Sequence, residues 1–281
     1  MTKLKITILL SLFCMIANLS AQQFPVYTQY LFNEYIMNPA IAGTIDCTPI
    51  RLSYRNQWSG FTDMQGNNVA PKTFAFSAHT PISDNIGVGG FIYNDVTGPI
   101  SQTSAQLSYS WRTCLSKETC FWDKKKFMSL SYGTRILQFS YDDTQTISWN
   151  EYFGLAADPV LPNVIETDFL VSHSVASYFY TEYFYGGFSA QNLFARPLNI
   201  KSDLNYDNRL TPEYNFLAGA YIPFSQDQSL AVEPSILTKT TSWSETQIDI
   251  GLRFIYQNSV YAGLLYRTSE VAYGFLFGVE A

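Results

Sequence analysis

Residues 246–256 read TQIDIGLRFIY, and apolar residues alternate with polar residues or glycine from Gln247 to Phe254. On a β-strand one face would carry Ile248, Ile250, Leu252, Phe254 and Tyr256, and the other Gln247, Asp249, Gly251 and Arg253. A sheet made of such strands has an apolar face that needs a cover, and few other segments are suited to provide one. A lipid bilayer would supply that cover. The stretch therefore predicts a β-strand of a membrane-spanning sheet.

The same alternation recurs along the chain in twelve segments, each about as long as the roughly ten residues of a tilted membrane strand. They lie near residues 49–58, 72–81, 85–95, 101–113, 127–140, 168–180, 182–193, 213–223, 229–239, 245–257, 260–268 and 270–280. An even number lets the first and last strands pair antiparallel and close the sheet. We expect an all-β, antiparallel transmembrane outer-membrane β-barrel of about 12 strands, with 14 possible. A soluble all-β sandwich is the competing fold.

The N-terminus has the pattern of a secretory signal peptide. Lys3 and Lys5 precede an apolar stretch, and small residues at Ser20 and Ala21 mark the cleavage site. The chain is therefore expected to consist of a signal peptide (1–21), an N-terminal periplasmic or plug segment (22–48) and the barrel (49–281). Without the two lysines the mature chain keeps 15 of 17 basic residues against 23 acidic ones, a formal charge of −8. This charge argues against a nucleic acid partner.

Charged residues fall on the inward face of the predicted strands, opposite the face that would contact lipid. They are Arg51, Arg55, Arg135, Glu233, Lys239, Asp249, Arg253, Arg267 and Glu280. One interpretation is a pore with a charged lining. The other is a closed interior in which these charges form pairs, and the presence of both signs favours it.

Cysteines and histidines give little support for chemistry. Cys114 and Cys120 could form a disulfide across a turn in an exported protein, or remain two thiols. His79 and His173 fit no metal-ligand spacing, so neither a metal nor another cofactor is expected. Ser77 shares a strand face with His79, as a hydrolase would need, yet no acidic residue is placed to orient the histidine. The sequence therefore predicts no enzyme.

Three consecutive segments near the N-terminus carry motifs of a known family. They are YTQYLFNEYIMNPAIAGT at residues 27–44, SYRNQWSGF at 53–61 and PKTFAFSAHTPI at 71–82, and the first does not alternate. In this order they resemble the PorP/SprF family of outer-membrane proteins. The family motif carries over to Gln29, Tyr30, Asn38, Pro39, Ala40, Ala42, Gly43, Tyr54, Arg55, Gln57, Trp58, Phe61, Pro71, Lys72, Ser77, His79 and Pro81.

The resemblance implies an outer-membrane β-barrel of the type IX secretion and gliding-motility system. Family members are similar in working beside the translocon with one large secreted surface protein, which they help to export or to hold at the cell surface, and they are not enzymes. A small-solute porin or transporter is the alternative function. Arg55 and His79 are both predicted to point inward, where they either hold the N-terminal segment against the wall or only fill the interior.

Overall fold

A computed structural model describes residues 30–63, 66, 68–116, 126–142, 154, 165–199, 209–224, 229–242, 245–257, 259–269 and 271–279 of the chain. These residues form one antiparallel sheet. Its strands are β1 (Ile50–Asn56), β2 (Lys72–Ser83), β3 (Ile86–Thr97), β4 (Ile100–Ser116), β5 (Lys126–Asp142), β6 (Ile165–Tyr180), β7 (Phe184–Leu193), β8 (Glu213–Ala220), β9 (Ile222–Pro223), β10 (Leu230–Ser242), β11 (Glu245–Tyr256), β12 (Val260–Arg267) and β13 (Ala272–Val279).

Each strand pairs antiparallel with the next along the chain, and the two-residue β9 pairs with β10 beside β8. The predicted fold class, an antiparallel sheet of the β-barrel type, is confirmed. One predicted strand, 213–223, is divided into β8 and β9. The division falls at Tyr221, whose backbone N–H donates to the Tyr183 carbonyl instead of to a neighbouring strand of the sheet.

The predicted pairing between the first and last strands is not present among the described residues, so the sheet is not closed. The two edge strands are short: β1 has 7 residues and β13 has 8, against 17 in β4 and in β5. They therefore have few backbone groups with which to pair. Their outward side chains are highly exposed, with Leu52 on β1 68% and Phe275 on β13 84% exposed.

Burial alternates along the strands as the sequence predicts, with small and polar side chains inward and apolar ones outward. In β2, Ser77 and His79 are buried whereas Phe74 and Phe76 are exposed. No helix in the described part of the chain is long and apolar enough to cross a membrane.

The inward face of the sheet packs around residues 30–44, which we call the plug segment. It consists of a 3-10 helix (Tyr30–Phe32), the short helix α1 (Glu34–Met37) and a second 3-10 helix (Pro39–Ile41). Its side chains form a single buried core with the inward residues of the strands, among them Phe91, Leu137 and Leu170. The core of this protein therefore lies between the plug segment and the inward face of the sheet, which we call the wall.

Candidate functional site at the plug segment

The plug segment is too short and irregular to satisfy its own backbone, and the wall completes its hydrogen bonds. The Met37 carbonyl accepts from Ser189 Oγ at 2.6 Å and from Gln191 Nε2 at 2.9 Å. The Ala42 carbonyl accepts from Ser110 Oγ at 2.6 Å. Small hydroxyl and amide side chains on the inward face thus replace the hydrogen bonds that a longer helix would make.

The Asn38-Pro39 pair fixes the turn between the two helical pieces. Asn38 Oδ1 accepts from the Ala40 N–H at 2.9 Å and caps the second 3-10 helix, in which Pro39 is the first residue. The other end of the same amide, Nδ2, donates to the Ser177 carbonyl at 3.0 Å. Asn38 therefore shapes the plug segment and attaches it to β6.

Two tyrosines anchor the plug segment on opposite sides of the interior. Tyr35 Oη lies 2.5 Å from Ser108 Oγ on β4, and Tyr30 Oη lies 3.3 Å from Ser235 Oγ on β10. Burial raises the pKa of Tyr35 to about 12 and raises the pKa of Tyr30 as well. Both hydroxyls therefore keep their protons at physiological pH and remain available as hydrogen-bond donors.

The plug segment approaches the wall most closely at two glycines. Gly43 has φ +75°, which favours glycine, and a Cβ on it would lie 2.7 Å from Gly87 Cα in β3. A Cβ on Gly87 would lie 2.2 Å from the Ala42 carbonyl oxygen. Close contacts of this kind would also follow from a Cβ at the wall positions Gly89, Gly187 and Gly251. Glycines in the wall therefore allow the plug segment to approach closely, because a side chain at these positions would collide with a neighbouring residue.

A hydrogen-bonded cluster joins the acidic residue of the plug segment to the wall. Tyr185 Oη lies 3.0 Å from Glu34 Oε1 and 2.8 Å from Glu233 Oε1, and Arg253 forms an ion pair with Glu233. Arg253 also donates to the Leu31 carbonyl at 3.4 Å. The Tyr185 hydroxyl has one proton, so it can donate a hydrogen bond to only one of the two carboxyl groups at a time. The geometry fits a neutral Glu34 that donates to Tyr185, which in turn donates to Glu233.

The pKa of Glu34 agrees with that arrangement. Burial and the nearby negative charge of Glu233 raise it from 4.5 to about 7, although Arg253, Tyr185 and Arg51 lower it in part. Two carboxyl groups share one guanidinium here, so a proton on Glu34 makes the cluster neutral overall. Glu34 thus changes charge near neutral pH at the contact between plug segment and wall.

Four more of the inward charges form two ion pairs, and Arg135 binds polar side chains. Asp249 and Arg267 make a bidentate pair with contacts of 2.9 and 3.0 Å, and Lys239 Nζ lies 3.6 Å from Glu213 Oε2. Arg135 donates to side-chain oxygens of three amides, Gln106, Gln191 and Asn192, and its guanidinium lies over the Phe91 ring. The ion pairs favour the interpretation in which inward charges pair with each other, whereas Arg135 is satisfied by neutral amides.

A family model described as "Type IX secretion system membrane protein PorP/SprF" matches residues 19–281. The chain belongs to the PorP/SprF family. The resemblance stated from the sequence motifs is thereby confirmed, and it places this PorP/SprF protein in the membrane as a component of the type IX secretion system.

Other comparisons add little to the family assignment. A search among curated proteins finds no match. One solved structure, described as "Unveiling the Mechanism Behind the in-meso Crystallization of Membrane Proteins", is similar at 12% identity and a TM-score of 0.39. The likeness covers 83% of this PorP/SprF chain and 80% of the other. At that TM-score it supports no conclusion.

The structure divides the PorP/SprF motif residues into two groups. Tyr30, Asn38, Pro39, Ala40, Ala42 and Gly43 lie in the plug segment, and Ser77, His79 and Pro81 lie on β2 beside it. Tyr54, Arg55, Gln57, Trp58, Phe61, Pro71 and Lys72 lie on β1, in the following loop and at the start of β2. Gln29 lies outside the described residues, as do Cys120 and the predicted signal peptide. The Cys114–Cys120 disulfide therefore stays a prediction.

Ser77 and His79 both contact the plug segment. Ser77 Oγ donates to Asn33 Oδ1 at 3.0 Å, and the Gly43 N–H donates to His79 Nδ1 at 3.4 Å. His79 also packs against the Tyr35 ring, with 5.0 Å between ring centroids. For His79 this supports the holding role considered from the sequence, while Arg55 lies half-buried on the inward face of β1.

The close approach at the wall glycines and the role of Tyr185 were not predicted from the sequence. A signal existed for the glycines, because Gly87, Gly89 and Gly187 interrupt strands that are otherwise rich in apolar residues, and glycine within a strand often marks the close approach of another backbone. No comparable signal existed for Tyr185, since its partner Glu34 is 151 residues away in sequence.

Asn38→Asp should loosen the plug segment although it preserves the shape of the side chain. Aspartate can still cap Ala40, but it cannot donate to Ser177 and it places a negative charge beside that carbonyl. We expect a loss of about 1–3 kcal/mol in the free energy of unfolding, measured by chemical denaturation. Asn56→Asp, at an exposed strand end, is the matched control and should have little effect. Equal stabilities of the two variants would contradict the proposed role of Asn38.

Arg267→Met should be among the more damaging changes to the wall. Arg267 and Asp249 are 2% and 0% exposed, so the change leaves a buried carboxylate without its cation. We expect a cost of about 3–5 kcal/mol in the free energy of unfolding. The double variant Asp249→Leu, Arg267→Met should recover most of that loss, because it removes both charges. A double variant as unstable as the single one would show that the pair matters through its shape.

Proposed function

We propose that this PorP/SprF protein acts in the outer membrane as an interaction component that assists the export or surface attachment of a large secreted partner protein. The observation that carries the proposal is the occupied interior. The plug segment hydrogen-bonds to β2, β4, β6, β7, β10 and β11 and buries its side chains among inward residues. An interior filled by the plug segment leaves little room for solutes to pass. It therefore favours a protein that binds partners through its outer surface and loops.

The expected test is deletion of the gene followed by a comparison of surface proteins. We expect one large surface protein to disappear from the cell exterior and to return when the full-length gene is restored. Other proteins exported by the type IX system should stay at normal levels. An unchanged surface proteome would contradict the proposal.

A small-solute porin is the second candidate, because arginines and acidic residues do line the interior. Their pairing with each other and with the plug segment weighs against it. We expect the purified protein to give no single-channel conductance in planar bilayers. Reproducible channels formed by the unmodified protein would favour the porin and contradict the filled interior.

We propose no catalytic role. Ser77 and His79 share the inward face of β2, but each forms its hydrogen bond with the plug segment, at Asn33 and Gly43. Substrate would therefore have to displace the plug segment to reach them. Ser77→Ala should leave export of the partner intact, and loss of export by a stably folded Ser77→Ala protein would argue for chemistry at this residue.

A further inference from the structure

His173 is an ionisable residue on the outward, apolar side of the sheet. Its neighbours on the same face of β6 are Val171 and Val175, 49% and 43% exposed, and Ile136 on β5 lies opposite Val171. Among the described strand residues, no other Asp, Glu, Lys, Arg or His faces outward away from a strand end. In a membrane protein, an ionisable side chain in such surroundings is costly, and it usually has a functional partner.

The imidazole of His173 is held in a fixed orientation. Tyr132 Oη lies 2.6 Å from Nδ1 and Thr134 Oγ1 lies 3.4 Å from the same atom. The Tyr132 and His173 rings are stacked, with 5.7 Å between their centroids. These contacts use one ring nitrogen, and Nε2 has no hydrogen-bond partner among the described residues. Lipid acyl chains cannot supply one.

The pairing of β6 and β7 is irregular next to His173, and the exposed Phe194 lies at this irregularity. The pairing of β6 with β7 shifts register between His173 and Val175, and Asn192 and Phe194 have φ of 57° and 59°. The Asn192 side chain accepts a hydrogen bond from Arg135 at 3.2 Å. Phe194 lies at the turn that follows β7, it is 88% exposed, and its ring centroid lies 6.4 Å from that of His173.

We propose that Tyr132, Thr134, His173 and Phe194, here called the His173 surface, form a contact site for the membrane-spanning surface of a partner protein. The partner presents a hydrogen-bonding side chain to His173 Nε2 and a pocket for the Phe194 ring. Polar side chains that bond across an interface hold membrane proteins together, and a protruding aromatic residue is a common anchor. The proposal depends on the membrane location of the protein and is independent of the export role.

Photo-crosslinking in intact cells tests the proposal, with a photoreactive amino acid placed at Phe194 or, as the control, at Ile250. Ile250 is an outward apolar residue of β11, 49% exposed. We expect the Phe194 position to give a discrete protein adduct, identified by mass spectrometry as an integral membrane protein, and the Ile250 position to give lipid adducts. His173→Leu should reduce the protein adduct at least fivefold, whereas His173→Gln, which retains a hydrogen-bonding group, should preserve it.

Heat-modifiable migration on gels checks that each variant is folded. If His173→Leu is not folded, the test rests on the adducts formed at Phe194 and at Ile250. These adducts are compared in the unmodified protein and in His173→Gln. Adducts to lipid or lipopolysaccharide alone at Phe194 would overturn the proposal, as would a protein adduct that His173→Leu leaves unchanged or that Ile250 forms equally well. Export of the surface protein is measured separately, so a failure here leaves the proposed function standing.

Discussion

Gly87→Ala should displace the plug segment from its wall, whereas Gly186→Ala, in β7, should leave it in place. An alanine Cβ at position 87 would lie 2.2 Å from the Ala42 carbonyl oxygen and 2.6 Å from Ser110 Oγ, so plug backbone and wall cannot both keep their positions. A Cβ at position 186 would meet its nearest atom at 3.6 Å, an ordinary contact. Both changes are the same in chemistry and differ only in the space available.

The expected cost of Gly87→Ala is about 1–3 kcal/mol for the steric conflict alone. Moving Ala42 away also weakens two hydrogen bonds from β4, one from Ser110 to the Ala42 carbonyl and one from Arg112 to the Gly43 carbonyl. Hydrogen exchange of a peptide covering residues 38–44 is the appropriate measurement. We expect exchange to accelerate at least tenfold in Gly87→Ala and to stay unchanged in Gly186→Ala. Equal protection in both variants would show that the contact is not tight.

The seating of the plug segment should weaken as pH rises from about 5 to 8. The pKa of Glu34 is raised from 4.5 to about 7 by burial and by the charge of Glu233. A raised pKa means that the seated state holds the proton more firmly than the released state. The stabilisation contributed by Glu34 is therefore complete below pH 4.5 and is lost as pH rises through about 7. Linkage sets an upper limit of about 3 kcal/mol on this change.

Glu34→Gln should remove the pH dependence, because glutamine keeps the size of the side chain and an uncharged donor beside Tyr185. Asp46→Asn is the matched control, since Asp46 is an exposed carboxylate shortly after the plug segment. It should preserve the pH dependence. The measurement is again hydrogen exchange of residues 38–44, corrected for the intrinsic effect of pH. A pH profile that Glu34→Gln leaves unaltered would assign the titration to another group.

Strand positions were predictable because a two-residue period is a local property of the sequence. The pattern in residues 246–256 placed Asp249 and Arg253 on one face, and the structure has both inward on β11. The alternating pattern did not predict which charged residues would form ion pairs. Those pairs depend on register: Arg253 lies opposite Glu233 on β10, and Asp249 lies opposite Arg267 on β12. Register is determined by turn length and packing, which a period cannot supply.

The site itself was only half visible in the sequence. The lack of alternation in residues 27–44 marked the plug segment as different, and the motif residues Asn38 and Gly43 proved central to its shape. Its location against particular strands was not predictable, because it depends on contacts between residues far apart in the chain. The sequence shows only that His173 fits no metal-ligand spacing, and its outward neighbours are defined once β5 and β6 are paired.

The contacts of the plug segment also have a consequence for the order of folding. Tyr30 bonds to Asp249, and Leu31 to Arg253, across 219 and 222 residues of sequence. Contacts between such distant residues require the closure of very long loops, and they form late. The plug segment precedes all the strands in the chain, yet it cannot reach its final position until β10 and β11 exist. We therefore expect the strands of the sheet to pair before the plug segment is fully seated against them.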